Sequence, residues 1–150
     1  QLGLDPQQGI EARLLARAQA DGKRIVGLET FESQLRTLDS LPARDQARFL
    51  LVTLEDAEEI PAHLETLLQA WRRGDVATLE RELLASLREQ PALYARLLVD
   101  RNRNWTAQLQ RLAERGGSYL VIVGALHLVG DDSVLAMLQR RGYPSRQLRD

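Results

Sequence analysis

The segment that most constrains the fold is a continuous apolar run, YLVIV at residues 119–123, which ends at a glycine. An apolar, β-branched run without helical spacing is typical of a strand buried on both faces. A shorter run, IVGL at residues 25–28, predicts a second strand, and residues 145–149 predict a third at the edge of the sheet. We therefore predict an α/β fold, rich in helix, with a small and mostly parallel sheet.

The rest of the chain has the spacing of amphipathic helices. Apolar residues recur at steps of three and four through residues 9–21 and through a large helical insertion at about residues 31–115. Within the insertion we expect Pro61 to break or kink a helix, because proline lacks the N–H that a helix interior needs. Asp75 is expected to cap the next helix, and Pro91 to begin a long one.

The domain prediction is a single domain over residues 1–150, closed by a last helix that Asp131 or Asp132 caps. Two or three strands form a thin sheet, which is marginal without further strands. The sequence also begins at Gln1 rather than at an initiator methionine. We therefore expect an incomplete fragment of a larger domain, whose uncovered strand edges favour self-association by strand exchange.

Composition argues against several classes of function. The chain has 150 residues with 20 basic and 21 acidic side chains, so its formal net charge is −1. Such a balance creates no overall field for nucleic acid or an anionic membrane, and we expect neither as a partner of this segment. No cysteine is present, which excludes disulfides and thiolate metal sites. No apolar run approaches the length that spans a bilayer.

Two short stretches share one pattern. IVGLET at residues 25–30 and IVGALH at residues 122–127 each lead from an apolar run through a glycine to an ionisable residue, Glu29 or His127. Ligands of open α/β sheets bind beyond the carboxyl ends of the strands, where these two side chains would share a crevice. A carboxylate and an imidazole suit a divalent ion, or a general base and its partner. The alternative is that Glu29 lies at a helix N-terminus and His127 is a loop residue with a satisfied hydrogen bond.

A charged residue interrupts the apolar stripe of the long helix. Arg101 falls between Leu97 and Trp105 at helical spacing, where an unpaired guanidinium is costly. Two interpretations stay open. Arg101 reaches the crevice and binds a carboxylate or the developing charge of a reaction, or it passes Trp105 and pairs with a surface acid. Asn102 and Asn104 add amide groups nearby.

Four motifs occur in a recognisable order: GLETFESQL at 27–35, DRNRNW at 100–105, GALHLVG at 124–130 and LQRRGY at 138–143. Together they resemble the TraB/PrgY/GumN family, which is related to the Tiki membrane proteases and to the erythromycin-esterase/ChaN-like group. The resemblance covers nearly the whole chain. It implies a pair of Gly-x-x-His motifs and, by analogy with Tiki members, a metal-dependent peptidase activity.

The resemblance also assigns roles to individual positions. Gly124 and His127 match the second Gly-x-x-His motif, and Trp105 matches the aromatic residue that follows an Arg-Asn pair. The implied catalytic residues are Glu29, Arg101 and His127, the implied metal ligands are His127 and Glu29, and the implied ligand-binding residues are Gln34, Asn102 and Gly124. The implied cofactor of the intact parent is a divalent ion, Mn²⁺, Co²⁺ or Zn²⁺, and the fragment itself is expected to bind none.

The first Gly-x-x-His motif is absent from the sequence and is expected upstream of residue 1. The resemblance therefore implies a metal-dependent, peptidase-like hydrolase, of which this fragment is inactive by itself. The alternative is a non-catalytic module that binds and regulates a peptide or another ligand. Both interpretations take a peptide or small molecule as the partner, and the resemblance suggests a periplasmic or exported location.

Overall fold

The computed structural model describes Asp5 and residues 8–148. The chain divides into two compact units, Gln1–Thr30 and Phe31–Asp150. The first unit contains helix α1, and the second contains every other described element. The elements are α1 (Ile10–Ala20), α2 (Phe31–Asp39), α3 (Ala43–Arg73), α4 (Val76–Arg88), α5 (Pro91–Tyr94), a π-helical turn (Ala95–Val99), α6 (Asp100–Arg115), a 3-10 turn (Ala125–Leu128) and α7 (Val134–Gln139). None of the described helices combines the length and apolar character needed to cross a bilayer.

The predicted sheet is wrong, because no described residue belongs to a β-strand. Residues 25–28 and 119–123 have no regular secondary structure, and most of their side chains are exposed. Residues 145–148 are also irregular, and Arg149 lies outside the described residues. An apolar run becomes a strand only when another strand completes its backbone hydrogen bonds, and no described segment does so. The fold of the described residues is therefore helical rather than α/β.

Helices α3 and α4 pack against each other and meet at a tight connection. Gly74 ends α3 with a left-handed φ of 64°, and Asp75 then caps α4 by accepting a hydrogen bond of 3.1 Å from the Thr78 backbone N–H. The predicted Asp75 cap is thus confirmed. Of the two outcomes predicted at Pro61, the break is wrong, because α3 continues through it, and the kink stays a prediction. Ala57, whose carbonyl loses its helical donor there, is exposed, and water can replace the missing bond.

The hydrophobic core of the second unit joins four elements. Its buried members are Ala70 of α3, Leu79 and Leu84 of α4, Leu98 of the π-helical turn, and Val129 just after the 3-10 turn. Burying a leucine side chain contributes about 1.5–3 kcal/mol, so a few such residues are sufficient to fix the relative position of the helices. The core therefore holds the end of the 3-10 turn against the long helical segment.

The last helix begins differently from the prediction. The side chain of Ser133 caps α7 by accepting a hydrogen bond of 3.1 Å from the Ala136 backbone N–H. Neither Asp131 nor Asp132 has this role, and the predicted cap is wrong. The Asp132 carboxylate instead accepts a hydrogen bond of 3.1 Å from the hydroxyl of Tyr94. The Asp132 side chain, which the local sequence would assign to the N-terminus of α7, therefore makes a tertiary contact with Tyr94 instead.

Candidate functional site

One continuous helical segment presents most of the candidate site. It begins at Pro91, as predicted, passes through the π-helical turn, and ends at Arg115. Its buried face includes Leu98, Asn102 and Trp105, which follow one another at steps of four and three. The π-helical turn ends two residues before Arg101, and turns of this kind are frequent at functional sites. The sequence pattern gave no sign of this turn.

His127 enters the site from the 3-10 turn. Its backbone N–H donates to the Gly124 carbonyl at 2.9 Å, which makes the Gly-x-x-His motif one hydrogen-bonded turn. The His127 side chain is only 6% exposed. Its ring lies 4.4 Å from the ring of Trp105, centroid to centroid and tilted. His127 is therefore packed within the helical unit rather than at the end of a strand.

Asn102 is the direct polar partner of His127. The Asn102 Oδ1 atom lies 2.6 Å from His127 Nδ1, and Asn102 is fully buried. The other end of the same amide donates from Nδ2 to the backbone carbonyl of Asp132 at 2.7 Å. One side chain thus connects the long helix, the 3-10 turn and the segment that leads into α7.

Arg101 stacks on the indole of Trp105. Its guanidinium carbon is 4.8 Å from the ring centroid, within the range of a cation–π contact. One guanidinium nitrogen also donates to the Leu97 carbonyl at 3.2 Å. Because Trp105 contacts both Arg101 and His127, the structure brings these two predicted residues to one aromatic side chain. Trp105 Nε1 is buried and has no acceptor among the described residues.

Glu29 and Gln34, two further predicted site residues, belong to other segments of the chain. Glu29 is half-buried and belongs to the first compact unit, whereas Arg101 and His127 belong to the second. Gln34 lies on α2 and is exposed, and Asn104 is also exposed. The structure therefore groups Arg101 and His127 with Asn102, and the roles of Glu29, Gln34 and Gly124 stay predictions.

Sequence reasoning missed the residues that support Asn102 and His127. The Thr106 hydroxyl donates to the backbone carbonyl of Asn102 at 2.6 Å, and the backbone carbonyl of Asp132 accepts from the Asn102 side-chain amide. Tyr94 binds the Asp132 side chain, and burial, together with that neighbouring carboxylate, raises the pKa of the phenol. Thr106 could have been found from its position four residues after Asn102. Tyr94 and Asp132 are 38 residues apart, and no local signal connects them.

The described residues supply only part of a set of metal ligands. Among the described residues, no three His, Asp or Glu side chains gather closely enough to hold a metal ion. The site does contain one imidazole in the setting that metal-binding histidines usually have, with the second ring nitrogen hydrogen-bonded to an oxygen. The described residues therefore fit one ligand position of a metal centre.

Comparison with known proteins decides the family. The sequence profile of the TraB/PrgY/gumN family matches residues 1–147. The chain belongs to this family. The TraB/PrgY/gumN match therefore confirms the resemblance inferred from the four motifs.

Two TraB-family relatives give the scale of the match. The chain is 30% identical over 138 residues to the uncharacterized protein YbaP of Escherichia coli (strain K12), and equally to that of Shigella flexneri. In each case the match covers 92% of this chain and 50% of the relative. The chain thus spans about half the length of the curated relatives it matches. No solved structure is significantly similar to it.

Proposed function

We propose that this chain contributes the histidine and arginine part of a metal-dependent, peptidase-like hydrolase site. The observation that supports the proposal is the buried pair of His127 and Asn102, with Arg101 stacked on the tryptophan that also contacts His127. A buried imidazole with one ring nitrogen bonded to an amide oxygen is suited to ligation through the other nitrogen. A positive charge held nearby is suited to an anionic group of the substrate.

Each residue has a distinct proposed role. His127 ligates through Nε2, and Glu29 stays the carboxylate ligand that the family resemblance implies. A bound Mn²⁺, Co²⁺ or Zn²⁺ would polarise a peptide carbonyl and lower the pKa of a water molecule. Arg101 holds a substrate carboxylate or the oxygen on which negative charge develops. Trp105 Nε1–H, which is a buried donor without an acceptor among the described residues, offers a further hydrogen bond to a substrate oxygen.

The two histidines of the chain allow a matched test of this proposal. His63 lies on α3, is half-exposed, and has Nδ1 3.4 Å from a carboxylate oxygen of Glu82. We would purify the complete natural protein and measure its affinity for Mn²⁺, Co²⁺ and Zn²⁺ by calorimetry, and its cleavage of a quenched fluorescent peptide mixture. We expect His127→Ala to lower metal affinity by at least about tenfold to 100-fold and to abolish cleavage. His63→Ala should change neither.

Two results would speak against the hydrolase. Unchanged metal affinity and unchanged cleavage in the His127→Ala variant would remove His127 from the site. Peptide binding that persists in a chelator, with no cleavage under any metal condition, would favour the non-catalytic binding module instead. In that module Arg101 would hold the peptide carboxylate.

A further inference from the structure

We infer that Asn102 is a positioning residue that fixes the tautomer of His127, so that Nδ1 carries the ring proton and Nε2 carries the lone pair. The family resemblance implies that Asn102 contacts a ligand directly. The structure instead buries it completely between the imidazole and the Asp132 backbone. The inference deepens the proposed function, on which it rests for the identity of what Nε2 binds. The tautomer itself is independent of that function.

The Asp132 backbone determines which way the Asn102 side-chain amide faces. The partner of Asn102 on one side is the Asp132 backbone carbonyl, which can only accept a hydrogen bond. The Nδ2 atom must therefore face Asp132, because the opposite orientation would set two acceptor oxygens against each other. This requirement directs Oδ1 toward His127, where it can only accept.

The orientation of the amide in turn decides which ring nitrogen of His127 carries a proton. At 2.6 Å from an obligatory acceptor, His127 Nδ1 must be the donor. Nδ1 therefore keeps its proton in both the neutral and the charged ring, and the proton that leaves on neutralisation is the one on Nε2. The Nε2 atom is thus the nitrogen able to ligate a metal ion or to accept a proton. Because Asn102 is an amide, it selects the tautomer without placing a charge beside the ring.

Further contacts of the long helix surround Asn102 and His127. The Thr106 hydroxyl donates to the backbone carbonyl of Asn102 within the same helix, and the ring of Trp105 packs against the ring of His127. Complete burial of Asn102 also keeps water from offering the imidazole an alternative partner. Two side chains of the long helix, Asn102 and Trp105, therefore support the orientation of the ring.

The experiment reads the tautomer directly, by long-range ¹H–¹⁵N correlation NMR of the complete protein, labelled in its histidines, kept free of metal and brought to a pH at which the His127 ring is neutral. The His127 signals are assigned by their loss in His127→Gln, and the exposed His63 serves as an internal reference. We expect a protonated Nδ1 and an unprotonated Nε2 for His127. A protonated Nε2 with an unprotonated Nδ1 in the wild-type protein would overturn the inference, whatever any variant does.

Three variants separate positioning from general structural support. Asn102→Leu removes the acceptor and should shift His127 toward the Nε2–H tautomer, with an about tenfold to 100-fold loss of metal affinity. Asn102→Asp keeps an acceptor oxygen and should keep the proton on Nδ1. Asn104→Ala, an exposed amide on the same helix, should leave the spectrum unchanged. An Asn102→Leu spectrum that is identical to wild type would count against Asn102. If His127→Ala leaves metal binding unchanged while the wild-type protein has the Nδ1–H tautomer, the proposed function fails and the inference about the tautomer stands.

Discussion

At the scale of single residues, Gly130 shows how a motif position can be required for packing. It is the second glycine of GALHLVG, and its φ of +81° is rarely adopted by residues with a side chain. A Cβ at this position would lie 3.1 Å from Leu84 Cδ1 and 3.3 Å from side-chain atoms of Glu80 and Arg88. The glycine therefore permits both the turn after His127 and its close approach to α4.

The corresponding prediction compares two glycines. Gly142 has a similar φ of +85°, but nothing lies within 4 Å of its missing Cβ. Gly142→Ala should therefore cost only the backbone strain, about 1–2 kcal/mol of unfolding free energy. Gly130→Ala should cost more, about 2–4 kcal/mol, because crowding adds to the strain. Urea denaturation of both variants measures the difference, and equal losses would show that Leu84 and its neighbours yield without cost.

At the scale of elements, the start of α4 is a charged cap whose effect depends on pH. Hydrogen bonds from the Thr78 backbone N–H and from the Thr78 hydroxyl lower the pKa of the Asp75 carboxyl below its ordinary value of 3.8. A carboxyl with a lowered pKa in the folded state stabilises that state fully above its ordinary pKa. This stabilisation is lost as pH falls through the lower, folded value.

Asp75→Asn tests this dependence, because asparagine can also cap a helix but carries no charge. We expect the wild type to have the higher denaturation midpoint at neutral pH, and the gap to narrow as pH falls toward about 3. Thr78→Val removes the hydroxyl bond to Asp75, together with a 3.4 Å bond from Arg81, but keeps the backbone bond, and it should reduce the pH-dependent part of the stability without abolishing it. A gap between wild type and Asp75→Asn that is constant over this pH range would refute the assignment.

At the scale of the whole molecule, one small core connects the elements that carry the site. Leu84 is fully buried within it, beside Leu98 of the π-helical turn and Val129 after the 3-10 turn. Asn102 follows Leu98 by four residues, and His127 precedes Val129 by two. The core therefore stabilises the site as well as the fold of the second unit.

Leu84→Ala should lower the unfolding free energy by about 2–5 kcal/mol, because it removes buried methyl groups and leaves a cavity. The matched control is Leu50→Ala, since Leu50 is 60% exposed on α3 and its truncation should stay within about 0.5 kcal/mol. Guanidinium denaturation at an unchanged slope measures both. Similar losses for the two variants would mean that the core is not where the structure places it.

The sequence determined what local physics can encode. Helical spacing, the Asp75 cap and the start of the long helix at Pro91 depend on neighbours within a few residues, and the structure confirms them. The four motifs likewise indicated the family, which the profile match over residues 1–147 confirms. The apolar stripe also singles out Arg101 as an anomaly beside Trp105, and the two side chains are in contact.

Only the tertiary structure decided the rest. A strand needs a hydrogen-bonding partner that its own sequence does not specify, so the apolar run at residues 119–123 could not settle the fold class. The positioning of His127 depends on Asn102, 25 residues away, and on a backbone carbonyl 30 residues from Asn102. Contacts of this kind have no periodicity, because they arise from helix packing and not from the spacing of residues along the chain.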